Sequence, residues 1–191
     1  MFRLNRIARY ALLIPTLAFP RLSTAQDCPR MATGDEAVSA VDHGDIKSEF
    51  CARAAFQLIE RLPKDEAIPM LIRHLGFREP ITNVPRSWQS FYPAVDSLAR
   101  VGLSAELPLV EFLAQNPHEN SIEDANAMTA LGLIRHGKVV PTIKLLRRRS
   151  AESAGTPAAQ RLDTAAQLML KNWCWSKQLR QRCEERLRQL D

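Results

Sequence analysis

The chain is poor in glycine, with 7 among 191 residues, and poor in aromatics, at 6%. A β-sandwich needs frequent turn residues between β-branched and aromatic runs, so the composition argues against that class. Ala- and Leu-rich segments point to helices instead. The sequence has no CxxC spacing, no glycine-rich phosphate loop, no paired-carboxylate motif and no nucleophile set beside a base. His43, His74, His118 and His136 are scattered and lack metal-ligand spacing. These absences leave no residue to assign to catalysis, a cofactor or a metal. Each histidine reads as a surface or capping residue at a helix end, and Asp42-His43-Gly44-Asp45 reads as a turn.

A long apolar run is missing as well. The stretch 10–19 has ten residues with Pro15 inside it, whereas a membrane-spanning helix needs about 20. Arg3, Arg6 and Arg9 precede this stretch, and Ser23-Thr24-Ala25 follow it with small residues where a signal peptidase reads. Residues 1–25 are therefore expected to be a secretory leader cleaved before Gln26. Cys28 follows Gln26-Asp27 rather than small residues, which argues against a lipoprotein. The expected product is periplasmic or secreted, with no membrane span after cleavage.

The apparent basicity of the chain belongs to that leader. Without Arg3, Arg6, Arg9 and Arg21, the remainder carries 22 basic and 21 acidic residues, so no nucleic-acid partner is expected. The charge is polarised along the chain instead. Residues 26–134 hold 9 Lys/Arg against 16 Asp/Glu, and residues 135–191 hold 13 against 5. This polarity can steer a charged partner, or it can be ordinary solvated surface.

Cys28, Cys51, Cys174 and Cys183 make an even set, which in an oxidising compartment reads as two disulfides. The local pairing, Cys28–Cys51 with Cys174–Cys183, is favoured because each pair sits at one end of the chain. Cys51 shares a helical face with Ala55, Ile59 and Leu62, and Cys183 shares one with Leu179 and Leu187.

The chain also repeats. Ala94, Leu98, Val101, Leu107, Pro108, Val110 and Leu113 return after 33 residues as Ala127, Leu131, Ile134, Val140, Pro141, Ile143 and Leu146. An earlier copy, 39 residues back, holds Ala55, Ile59, Leu62, Ile68, Pro69 and Leu71. A fixed period of this size is the mark of stacked units that bury their apolar faces on one another. Residues 26–44 read as an N-terminal tether ordered only around Cys28. Residues 45–191 read as one domain, and within it Asp45 caps a first helix through Ile46, Phe50, Ala54, Leu58 and Leu62. Asp65 opens the second helix with Pro69 in its first turn. Ser121 opens the third pair with a capping-box pattern, and Thr156-Pro157 starts a further helix. Residues 176–190 form a last amphipathic helix that closes the core.

The units YPAVDSLARVGLSAELPLVEFL, from Tyr92 to Leu113, and ANAMTALGLIRHGKVVPTIKLL, from Ala125 to Leu146, resemble HEAT-like repeats of the phycobilisome-lyase type. The resemblance spans 46–146 and extends more loosely over 157–173. It implies an all-α fold, an armadillo-like α-solenoid of antiparallel helix pairs, with the proline in the second helix of each pair. It implies no reaction.

Two surfaces are candidates for binding. Aligning the prolines sets Met70, Leu109 and Thr142 on one rung of the second helices, and Arg73, Phe112 and Leu145 on the next. Phe77, Asn116 and Arg149 form a third rung. These rungs read either as packing between units or as an apolar groove graded into Lys144, Arg147, Arg148 and Arg149, suited to a protein or peptide with an acidic flank. The second surface is the insertion at 76–91. Arg78, Arg86, Trp88, Phe91 and the adjoining Tyr92 have the makeup of an interaction hot spot, or else plug a gap between units. The expected function is an exported, non-catalytic protein-binding scaffold. The alternatives are an accessory of the lyase type and a partner-specific inhibitor or immunity-type protein steered by charge.

Overall fold

The computed structural model describes residues 28–80, 92–116, 121–174 and 177–189. The secondary structure of the described residues is helical throughout. In order it comprises α1 (Gly34–Asp42), α2 (Glu49–Glu60), α3 (Lys64–Arg73), α4 (Pro93–Val101), a 3-10 turn (Gly102–Ala105), α5 (Glu106–Gln115), α6 (Ile122–Ile134), α7 (Val140–Glu152), α8 (Pro157–Trp173) and α9 (Lys177–Gln189).

Local chemistry sets most of the boundaries. Ser48, Ser121 and Thr156 each accept a hydrogen bond from a backbone N–H three residues on, satisfying one of the orphan donors at the N-termini of α2, α6 and α8. Pro141 lies in the first turn of α7, where no intrahelical donor is lost. The turn after α6 needs left-handed backbone, and Gly137 supplies it with φ 76°.

α2, α4 and α6 contact one another in succession, and α3 packs on α2, α4 and α5. α5 meets α6 and α8, α7 lies against α8, and α9 covers parts of α7 and α8. The repeated positions are the core: Ala55, Ala94 and Ala127, then Ile59, Leu98 and Leu131, then Leu71, Val110 and Ile143, and finally Leu113 and Leu146 are all buried. Burying a Leu or Ile side chain is worth about 1.5–3 kcal/mol, so these positions stabilise every unit. The repeat does not hold at Leu107, which is exposed. The third unit also departs from a uniform plan, because α8 packs along α5 and is the main neighbour of α7.

Both disulfides have the local pairing, Cys28–Cys51 with Cα atoms 5.3 Å apart and Cys174–Cys183 at 6.5 Å. The first ties the segment ahead of α1 to α2, and the second ties the end of α8 to α9. Among the described residues, no helix is long and apolar enough to cross a membrane. The expected leader, residues 1–25, lies outside the described residues.

Several expectations are corrected. Residues 34–42 are a helix and not part of a tether. Thr33 and Glu36 form a reciprocal capping box, and Ala37, Val38, Ala40 and Val41 bury a stripe of small residues against α2. Ser48, not Asp45, caps α2, so Phe50 falls in its first turn and is 69% exposed. α3 starts at Lys64 behind Pro63, which places Pro69 inside the helix, where it cannot donate to the Asp65 carbonyl. Of the two readings of His74, surface or capping, the capping one holds, since it is the C-cap of α3; its side chain is nearly buried, edge-on to Phe56 with ring centroids 6.3 Å apart.

Candidate functional site

α7 divides its residues between core and surface. Thr142, Ile143 and Leu146 point inward and are buried, so helical spacing turns Lys144, Leu145, Arg147 and Arg148 the other way. They line one side of an open cleft of about 800 Å3, completed by Glu106, Arg135, Pro141 and Leu187. A smaller cleft of about 320 Å3 continues along α9 past Arg147, Glu184, Leu187 and Arg188.

Glu106 and Arg135, which line the larger cleft, belong to a polar knot with the buried Thr142, in which Arg135 stays partly exposed. Arg135 donates from Nε to Glu106 Oε1 at 3.0 Å and from Nη2 to Oε2 at 2.5 Å, a bidentate pair. Thr142 donates to the same Oε1 at 3.0 Å. Burying a carboxylate is costly unless it is paired and hydrogen-bonded, and here both oxygens are engaged. Hydrogen bonding to Glu106 in turn raises the Arg135 pKa above its ordinary value. Arg135 and Glu106 offset each other as a pair, so Lys144, Arg147 and Arg148 supply the net positive charge of the cleft lining. Arg148 also stands 3.8 Å from Glu152, and Arg149 pairs with Glu152 at 3.1 Å. The formal charge of the lining is positive, and an apolar strip of Pro141 and Leu145 lies within it.

Of the expected groove residues, the structure brings Lys144, Leu145, Arg147 and Arg148 into this cleft, while Arg149 is not among its lining residues and pairs with Glu152. Leu109 is fully buried, because α5 packs on α3, α6 and α8 together, so the groove reading fails there and the core reading holds. Met70 and Phe112 are half-buried against the core. Arg73 faces α1, where it pairs with Asp42 at 3.3 Å. Tyr92 is buried, which removes it from any exposed hot spot. Arg86, Trp88 and Phe91 lie outside the described residues. Glu106, Arg135 and Leu187 were not anticipated as parts of a site.

Two further titratable groups are perturbed. Burial lowers the His74 pKa below its ordinary 6.5, partly offset by Asp42, whose Oδ1 lies 3.2 Å from Nε2 but out of hydrogen-bonding alignment. Burial raises the Asp96 pKa, partly offset by Arg100 and Arg53. Asp96 borders a cleft of about 110 Å3 with Arg53, Glu79 and Arg100. Among the described residues, no group of three or more His, Cys, Asp or Glu is placed to hold a metal ion.

No family model, curated protein or solved structure matches the chain.

Proposed function

We propose that the chain is an exported binding scaffold, built from HEAT-like stacked helix pairs, whose α7–α9 cleft receives an acidic segment of a partner protein. The observation that carries this reading is the convergence of Lys144, Arg147 and Arg148 around the apolar strip of Pro141 and Leu145. An apolar anchor flanked by carboxylates would bury its side chain on Leu145 and meet the cations at the rim. Such rim charges set the association rate more than the final affinity. Two disulfides suit a chain that works outside the reducing cytosol. The succession α2, α4, α6 and the shared buried positions support stacking of the repeated units.

The test is a pull-down from native envelope or culture fluid with the chain beginning at Gln26, beside a bait carrying Arg147→Glu and Arg148→Glu. The expected result is an acidic partner that is lost on charge reversal and whose association with the wild-type bait slows as salt is added. A partner captured equally by both baits, with salt-insensitive kinetics, would overturn the assignment of this cleft.

A further inference from the structure

A second cleft, of about 220 Å3, opens where α5, α6 and α8 meet, on elements that do not form the cationic cleft's main wall. Its apolar floor is Leu113, Met128 and Leu168. Ala125, which lines the cleft, stands 33 residues after Tyr92 in the repeat. Tyr92 is the buried N-cap of α4, whereas Ala125 lies inside α6 and presents only a methyl group to the cleft.

The rim of this cleft carries opposite charges held in fixed positions. Asp124 Oδ1 accepts from Asn116 Nδ2 at 2.7 Å, and its backbone N–H donates to Ser121 Oγ at 3.1 Å. Arg161 reaches from α8 to the end of α5, donating from Nε and Nη2 to the Ala114 carbonyl at 3.0 and 2.5 Å. Those two bonds set the plane of the guanidinium and use two of its five N–H groups. The cleft therefore offers an anion, a cation and an apolar floor to one small occupant. Its volume is below the roughly 300 Å3 at which pockets begin to hold drug-sized molecules, so neither a helix nor a long peptide fits.

We propose that this cleft binds a free apolar amino acid. Its side chain lies over Leu113, Met128 and Leu168, its ammonium group faces Asp124, and its carboxylate faces Arg161. A site that pairs both charges discriminates against analogues lacking either one, because the unmatched protein group is left desolvated. This reading is independent of the α7–α9 cleft and stands or falls without it.

The experiment is isothermal titration of the disulfide-bonded chain with L-phenylalanine and L-leucine, alongside phenylalaninamide and N-acetylphenylalanine. Saturable binding of at least one of the two amino acids is expected, with each analogue weaker than phenylalanine by about tenfold or more. Ala125→Tyr, which puts a ring into the cleft, should abolish binding while the chain stays folded. If that variant lowers the melting temperature, Asp124→Asn decides in its place, with about a tenfold loss expected. The proposal is overturned by no saturable heat at millimolar amino acid, by analogues that bind as well as phenylalanine, or by unchanged affinity in the deciding variant.

Discussion

Trp173 lies so close against Gly132 that a Cβ added to the glycine would overlap the indole ring. This contact brings α8 onto α6 immediately before Cys174, whose disulfide holds α9. Gly132→Ala should therefore force the ring or the helix aside and destabilise the chain by about 1–3 kcal/mol, the usual cost of overpacking a close contact. Urea unfolding followed by tryptophan emission reads both the stability and the ring's environment. Unchanged stability with unchanged emission would mean that the two helices do not pack this closely in solution.

Leu98 and Leu131 occupy the same place in successive units and are both fully buried. Truncation to alanine should cost about 2–5 kcal/mol at each site, made up of lost transfer energy and the cavity left behind. The two sites lie on contacting helices, so the double variant tests their coupling. Thermal unfolding of the two single variants is the direct check, and melting temperatures equal to the parent's would break the equivalence of the units.

What the sequence could and could not reveal follows from the range of the interactions involved. The caps at Ser121 and Thr156 and the buried sets through Leu98 and Leu131 depend on neighbours a few residues away or on a repeated spacing, so they were legible. The α1 helix was missed because its buried stripe is made of Ala37, Val38, Ala40 and Val41, small residues with a weak apolar signal. Its capping box, Thr33 with Glu36, was the available clue. Leu145 was legible through the proline-aligned rungs and Arg148 through the cationic run beside it, both local to one helix. Their neighbours in the cleft come from elsewhere. Glu106 pairs with Arg135 across 29 residues, and Leu187 arrives on α9, so only the tertiary fold joins them.

The Glu106–Arg135–Thr142 knot links the start of α5 to the end of α6 and to α7. Glu106→Gln keeps the shape but removes the charge that both partners address. A loss of about 1–3 kcal/mol is expected, as for a buried hydrogen bond to a charged group. In a double-mutant cycle with Arg135→Gln, the coupling energy should fall within about 0.5–3 kcal/mol. Additive effects would show that the three side chains do not act as a unit. The same variant adds positive potential to the cleft, so it should speed association with an acidic partner.

Protonation of His74 opposes folding. Burial holds its pKa in the folded chain below the 6.5 of the ordinary side chain, with Asp42 partly restoring it and Arg73 lowering it further. The unfolded chain therefore binds a proton first as the pH falls, and stability must drop from near pH 6.5 down to the folded-state value. One proton limits the slope to about 1.4 kcal/mol per pH unit. His74→Gln removes the titration while keeping a polar group beside Asp42. The difference in unfolding free energy between parent and variant, measured from pH 7.5 to 4.5, should shift against the parent as the pH falls. Asp96, whose pKa burial raises, is present in both chains and is not among the groups acting on His74, so it drops out of that difference. A difference independent of pH would show that His74 titrates alike in the folded and unfolded chains, and that its burial against Phe56 does not persist in solution.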